Sequence, residues 1–395
     1  MRISSKIAFV NQSTGLLFKG LAENLSMEWF PSVLYTGNDL SSSKTSPNGK
    51  LVVKVLNTYD RTSVLSRILS GLMYSAKVLF KILMNKPRLV MFVSNPPFVP
   101  FIGLILKVFC GQRYVILVYD IYPDILLGLN RLSEKNIVVK LWRRINKIVY
   151  ENSEAVITIG NYMAKKLEKS FNPSATSFGK VVVIHNCADP DEFRPIPKEV
   201  NPFVVKYKQT DKLTVMYSGN FGYAHSFKNI VNVAKKLISN KSLNIFLIGE
   251  GSQKNNIISE IRAASLDNVI CLPYQNDSVF PKALASADVA LITMASGSEE
   301  LMVPSKIYCS MAVGSALIGI TNRNSELAKM INDHECGIVV PPDNVEKLEK
   351  AISTFMNNQQ FLKRCKDNAY NAFINYYTNR QTYSKYREIM NKLIY

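Results

Sequence analysis

The chain is poor in the residues that build metal and disulfide scaffolds. It has only three histidines, far apart, and six cysteines at 110, 187, 271, 309, 336 and 365. No two cysteines form a C-x-x-C pair, so a structural zinc site or a disulfide framework is not expected, and free thiols in a reducing cytoplasm fit better. No G-x-G-x-x-G follows the first strand pattern, which removes the dinucleotide fingerprint. A D-x-D metal motif in a suitable loop is also missing. The N-terminal MRISSKIAFV lacks the long apolar core of a secretory leader and reads as a first strand. Acid is in deficit too: 30 Asp and Glu stand against 48 Lys and Arg, a formal net charge of +18. That balance favours acidic partners such as sugar nucleotides, anionic lipid or nucleic acid. The charge is scattered, with no block of five or more Lys/Arg, which weakens the nucleic-acid option.

What is present is globular: 47% hydrophobic and 20% charged residues over 395 positions. That length exceeds one ordinary core and sets two domains as the expectation. In the first half, short β-branched runs at 6–10, 51–55, 89–93, 114–119, 155–159 and 181–184 alternate with helical patterns such as 62–84 and 138–152. Strand–helix alternation predicts a parallel, doubly wound α/β sheet, with ligands outside the carboxyl ends of the strands. The apolar stretch 89–110 is long enough for a membrane span, but Asn95, Pro96, Pro97 and Pro100 break it. It reads as a buried strand, a turn and a short apolar helix over 101–109. Core packing explains that helix; resting on a membrane surface is the alternative.

Four prolines between Pro190 and Pro202 mark a linker. The expected division is 1–190, a linker over 191–212, a second domain over 213–375, and a terminal helix over 376–395. The second half restarts the alternation, with strands at 213–218, 244–248, 269–272, 288–293, 316–320 and 337–340 and helices at 230–239 and 277–287. Two strand ends open into glycine loops, Gly219–Gly222 and Gly249–Gly251, where a backbone can approach an anion closely. Asp120 ends another strand, where a carboxylate points into a crevice or caps a turn.

The stretch SGSEELMVPSKIYCSMAVGSALIGI, residues 296–320, gathers the densest chemistry. Glu299 and Glu300 precede Pro304 and Ser305, which open a helix over 306–313 that Gly314 ends. A helix start beside a hydroxyl and the Lys306 cation suits a phosphate, and the carboxylates suit sugar hydroxyls. The residues alone fit a plain capped helix equally well.

The order YSGNFGYAHSF, FLIGEG, NVICLPYQNDSVFPKALASADVALIT and VPSKIYCSMAVGSALI resembles the retaining glycosyltransferases of family four, which have the GT-B fold. VIHNCADPDEFRP is similar to that family's segment before the linker. SNPPF and YDIYPD resemble the branch that includes WbuB-type N-acetylfucosaminyltransferases of O-antigen and capsule assembly. The resemblance implies two Rossmann-like domains facing a central cleft. It implies a UDP-sugar donor held by the second domain and a lipid-linked saccharide acceptor on the first. It places the chain as a cytoplasmic protein, peripheral on an anionic inner-membrane surface, with no cofactor, no metal and no nucleic acid.

In that scheme Glu300, Asp120 and Lys306 are catalytic. Gly219, Asn220 and Ser305 hold the diphosphate, and Pro273–Tyr274 meets the base. Gly15, Gly222, Lys228, Gly249, Glu299 and Tyr308 complete the nucleotide-sugar contacts. The terminal helix crosses back to the first domain. This chain departs from the family in three places. Tyr308 or Cys309 stands where a second glutamate holds the ribose. Asn220 replaces an arginine, with Lys228 or His225 near the place of a lysine. Tyr119 stands where a histidine is frequent. Lys306 then supplies the missing positive charge. A GT-B sugar-nucleotide epimerase and a basic polyanion-binding protein are the rival readings.

Overall fold

In the computed structural model, residues 6–38, 50–60, 62–170, 180–222 and 227–394 are described. The chain forms two compact units. His185 ends the first, Asn186–Gln381 forms the second, and the chain rejoins the first from Thr382 onward.

The first unit carries a parallel sheet of β1 (Ile7–Asn11), β2 (Ser32–Thr36), β3 (Leu51–Val55), β4 (Leu89–Val93), β5 (Tyr114–Val118), β6 (Ala155–Thr158) and β7 (Val181–Val183). Their order is β3-β2-β1-β4-β5-β6-β7, so the winding reverses between β1 and β4. β1, β4 and β5 are buried at every position. They therefore read as continuous apolar runs, as strands covered on both faces must. At the edge, β3 buries only Leu51. β2 was not expected: five residues following Phe30–Pro31 carry no alternation that marks a strand by themselves.

The second unit repeats the plan with β8 (Leu213–Ser218), β9 (Leu243–Ile248), β10 (Val269–Leu272), β11 (Val289–Thr293), β12 (Ala316–Ile320) and β13 (Gly337–Val340). The order is β10-β9-β8-β11-β12-β13, reversing between β8 and β11. One core lies on each side of this sheet. Phe246, Met311 and Phe373 belong to the first, Phe221, Phe227 and Phe355 to the second.

The stretch 191–212 is not a free linker but part of the second unit. It contains a helix, Pro202–Tyr207, whose Phe203 ring lies 5.7 Å from Phe246. Asn201 Nδ2 donates to the Lys282 carbonyl at 2.9 Å. Lys198 Nζ and Lys366 Nζ grip the two oxygens of the buried Asp288, at 2.5 and 3.1 Å. Thr214 N–H donates to the same carboxylate at 2.9 Å. Proline fixes φ but does not prevent such packing, which composition alone does not reveal. The crossing from unit to unit falls at His185–Asn186 instead.

The terminal helical region is two helices, Gln359–Tyr376 and Asn379–Ile394. Between them Thr378 bridges Ala188. From Thr382 the last helix belongs to the first unit, with Thr382 Oγ1 bonded to the His185 carbonyl at 3.3 Å.

Replacing Asp288 with Ala removes three charge-assisted hydrogen bonds at once. Lys198 and Lys366 regain water, so the net cost is about 2 kcal/mol. A urea titration should show a lower midpoint at an unchanged slope.

Candidate functional site

Because the strands of the second unit all run the same way, the loops after β8, β9, β10, β11 and β12 gather on one edge. The reversal between β8 and β11 puts the loops 219–222 and 294–300 at the point where a parallel sheet opens a ligand crevice.

The glycines there are sterically required. Gly219 and Gly249 have φ of +145° and +150°, in the region that disfavours side chains. A Cβ on Gly249 would stand 1.8 Å from the Gly219 carbonyl oxygen, so the two turns touch backbone to backbone. Gly219 N–H donates to the Ile248 carbonyl and Phe221 N–H to the Glu250 carbonyl, both at 2.8 Å. Gln253 Nε2 donates to the Gly222 carbonyl at 2.7 Å. The β8 loop is thereby braced along its length, while the Asn220 side chain stays exposed.

Lys306 lies across this loop. A Cβ on Gly219 would meet its Cε and Nζ at 2.4 Å. Its Nζ donates to the Tyr217 hydroxyl at 2.7 Å and sits 4.0 Å from that ring's centroid. Tyr217 in turn donates to the Asn220 carbonyl at 2.8 Å, and its side chain also bonds that of Thr293. Among the described residues no carboxylate pairs with Lys306. Burial therefore pushes its ammonium down to about 8 from the usual 10.5. A desolvated cation with no counter-charge, held over a glycine turn, is built to receive an anion.

The other expected residues divide. Ser305 begins the helix Lys306–Ala312, but its exposed hydroxyl does not cap it. Glu300 is exposed on the loop after β11. Its neighbour Glu299 is buried and accepts from Asn322 Nδ2 at 2.5 Å. That contact ties the β11 loop to the β12 loop. Tyr274 follows β10 and is half exposed.

Tyr308 is not part of this edge. It is fully buried in the core, with its ring 5.4 Å from that of Tyr377. On a short helix, only two positions separate a residue over the loop from one under it. Lys228 is exposed on the helix Phe227–Lys236, and His225 lies outside the described residues.

In the first unit, Asp120 follows β5 at the carboxyl edge, and burial lifts its carboxyl to about 6. Gly15 begins the helix Leu16–Ser26 with open space where a Cβ would sit, so nothing there demands glycine.

Spacing did not mark Tyr217, Gln253 or Asn322. The signal available for Tyr217 was its place at the end of β8, directly before the Ser-Gly-Asn turn.

Residues 201–372 match the family of glycosyl transferases group 1. The chain is 26% identical over 293 residues to the probable glycosyltransferase WbjE of Pseudomonas aeruginosa, covering 73% of this chain and 70% of that one. It is 24% identical over 268 residues to the putative colanic acid biosynthesis glycosyl transferase WcaI of Escherichia coli K12, covering 64% of each. The solved structure of HepE from Anabaena, in complex with UDP, superposes with a TM-score of 0.75 at 14% identity, covering 98% of this chain and all of that one. The second unit thus carries a match to group 1 glycosyl transferases, and the whole chain shares the two-sheet GT-B fold of the solved structures it superposes on.

Two outcomes test the geometry. Gly249→Ala forces both a strained φ and a backbone overlap, so it should cost about 3 kcal/mol or more, read from the denaturant midpoint. As pH rises through about 8, Lys306 loses its charge. kcat/KM for an anionic donor should then fall, and Lys306→Arg, charged throughout, should remove that alkaline limb.

Proposed function

We propose that the chain transfers a sugar from a UDP-linked donor to a lipid-linked saccharide during assembly of a bacterial surface polysaccharide. The observation that carries this reading is the uncompensated Lys306 ammonium over the Gly219 turn. It supplies positive charge and close backbone approach at the reversal point of a parallel sheet, where a diphosphate can bind. Support also comes from the WbjE and WcaI relatives and from the UDP bound to HepE.

The chemistry follows from charge. Breaking the bond between sugar and diphosphate leaves negative charge on the departing phosphate. Lys306 and the Ser305 hydroxyl stabilise that charge as it develops. These contacts act without a metal ion. Glu300 binds hydroxyls of the donor sugar, Ser305 adds a hydroxyl to the phosphate, and Tyr274 stacks on the base. Asp120, its carboxyl lifted to about 6 by burial, binds the acceptor on the first unit. The departing phosphate takes the proton of the attacking acceptor hydroxyl on the face it leaves, as retention without an enzymic nucleophile requires. We infer retention of anomeric configuration, and an N-acetylated hexosamine donor including 6-deoxy forms, from the family-four resemblance.

A panel of nucleotide sugars incubated with lipid extract tests the donor. A UDP-linked hexosamine should react, and reaction of only GDP- or dTDP-linked donors would overturn the assignment. Lys306→Ala and Glu300→Ala should each lower turnover by about a hundredfold or more, the scale of one lost transition-state contact. Near-normal turnover in both variants contradicts the site.

A further inference from the structure

The first unit carries a large apolar surface that the transfer chemistry does not use. The helix Val64–Asn85 is apolar on two faces. Tyr74, Val78 and Ile82 pack inward, while Leu65, Leu69, Leu72, Met73 and Phe80 project outward, Phe80 at 60% exposure. A helix in water normally keeps the outer stripe polar, so this one is built for a second apolar environment. It is also long and apolar enough, by composition, to rank as a membrane span, although its inner face is already packed.

Two neighbours extend the patch. The helix Pro100–Cys110 packs beside it and exposes Val108 and Phe109, the latter at 81%. The helix Ile137–Asn152 packs against that one and exposes Ile137 and Leu141. Right-handed crossovers into β4, β5 and β6 place all three on the same face of the sheet.

Charge identifies the occupant. Residues 61–119 contain eight Lys or Arg and no Asp or Glu. On the third helix the exposed Lys140, Arg144 and Lys147 alternate with the apolar positions. The acids that approach are already engaged: Glu154 with Lys107 at 2.9 Å, Asp124 and Glu134 with Arg143 at 2.7 and 2.8 Å, and Glu151 with Lys147 at 3.7 Å. A second copy of the chain would bring one basic face against another. An anionic bilayer offers both acyl chains for the apolar stripe and negative headgroups for the rim.

We infer that these three helices form the surface by which the protein docks on an anionic membrane, lying in its interface without crossing it. This deepens the reading of a lipid-linked acceptor by naming the face that meets the lipid. Its own observations do not involve the donor site.

Flotation with vesicles tests it, because it needs neither donor nor acceptor. A failed transfer assay therefore leaves the outcome readable. The full chain should float with phosphatidylcholine vesicles containing phosphatidylglycerol at low salt, and much less with phosphatidylcholine alone. The triple change Leu72→Glu, Phe80→Glu and Phe109→Glu should lower the bound fraction by about tenfold or more. Because all three side chains are exposed, its thermal midpoint and its affinity for UDP should stay at the parent's values. Lys140→Glu with Arg144→Glu should weaken anionic binding and leave the weak neutral binding unchanged. No binding to anionic vesicles would overturn the proposal. So would equal binding by the triple variant, or a vesicle-free dimer that the triple variant dissociates.

Discussion

The second unit is arranged around a cation that it does not neutralise. Lys306 has been drawn out of water onto Tyr217 and the Gly219 turn, and burial pulls its pKa to about 8. Holding a desolvated ammonium without a carboxylate is unfavourable in the free protein. The surrounding contacts keep it there. β8 delivers Tyr217 and Gly219, β9 delivers Gly249 against Gly219, and the helix after the β11 loop delivers the lysine. All three arrive on one edge because the strands are parallel. In the proposed reading a diphosphate supplies the missing charge, so that binding and the alignment of a leaving group come from the same contact.

The alternation of apolar runs and helical periods was enough to read both sheets. Strands β3, β4, β8, β10, β12 and β13 fall where the β-branched runs predict them. Those runs are legible because a strand covered on both faces has no polar positions to break it. Helix starts slipped more. The helix Phe227–Lys236 begins three residues earlier than its periodicity suggests, since Phe227 belongs to the core but follows the polar sequence Ala-His-Ser. β2 was missed because Ser32 and Thr36 leave only Val33–Tyr35 as an apolar run, although all five residues are buried.

At the site, residues that act through backbone geometry were legible, and those that act through partners were not. The glycine turns and the Lys306 helix start stand out by type and spacing. Tyr217 does not, because a tyrosine at a strand end ordinarily reads as core, and only the fold brings it within 2.7 Å of a lysine 89 positions away. Tyr308 shows the reverse: the family comparison puts it where a ribose-holding glutamate stands, but helix phase turns it into the core. The segment 191–212 teaches the same point at larger scale, since its prolines describe stiffness and say nothing of what Phe203 and Lys198 pack against. The excess of basic charge, spread thinly over the sequence, acquires direction only when three helices bring it around one apolar face.

The most direct test of the central claim is the titration of Lys306 itself, followed by the NMR shifts of its labelled Cε and Nζ with and without UDP. In the free protein the ammonium should titrate near 8. With UDP bound its pKa should rise, because the nearby diphosphate favours the charged form. A lysine that titrates at its ordinary value in the free protein, or that does not respond to UDP, would contradict the account.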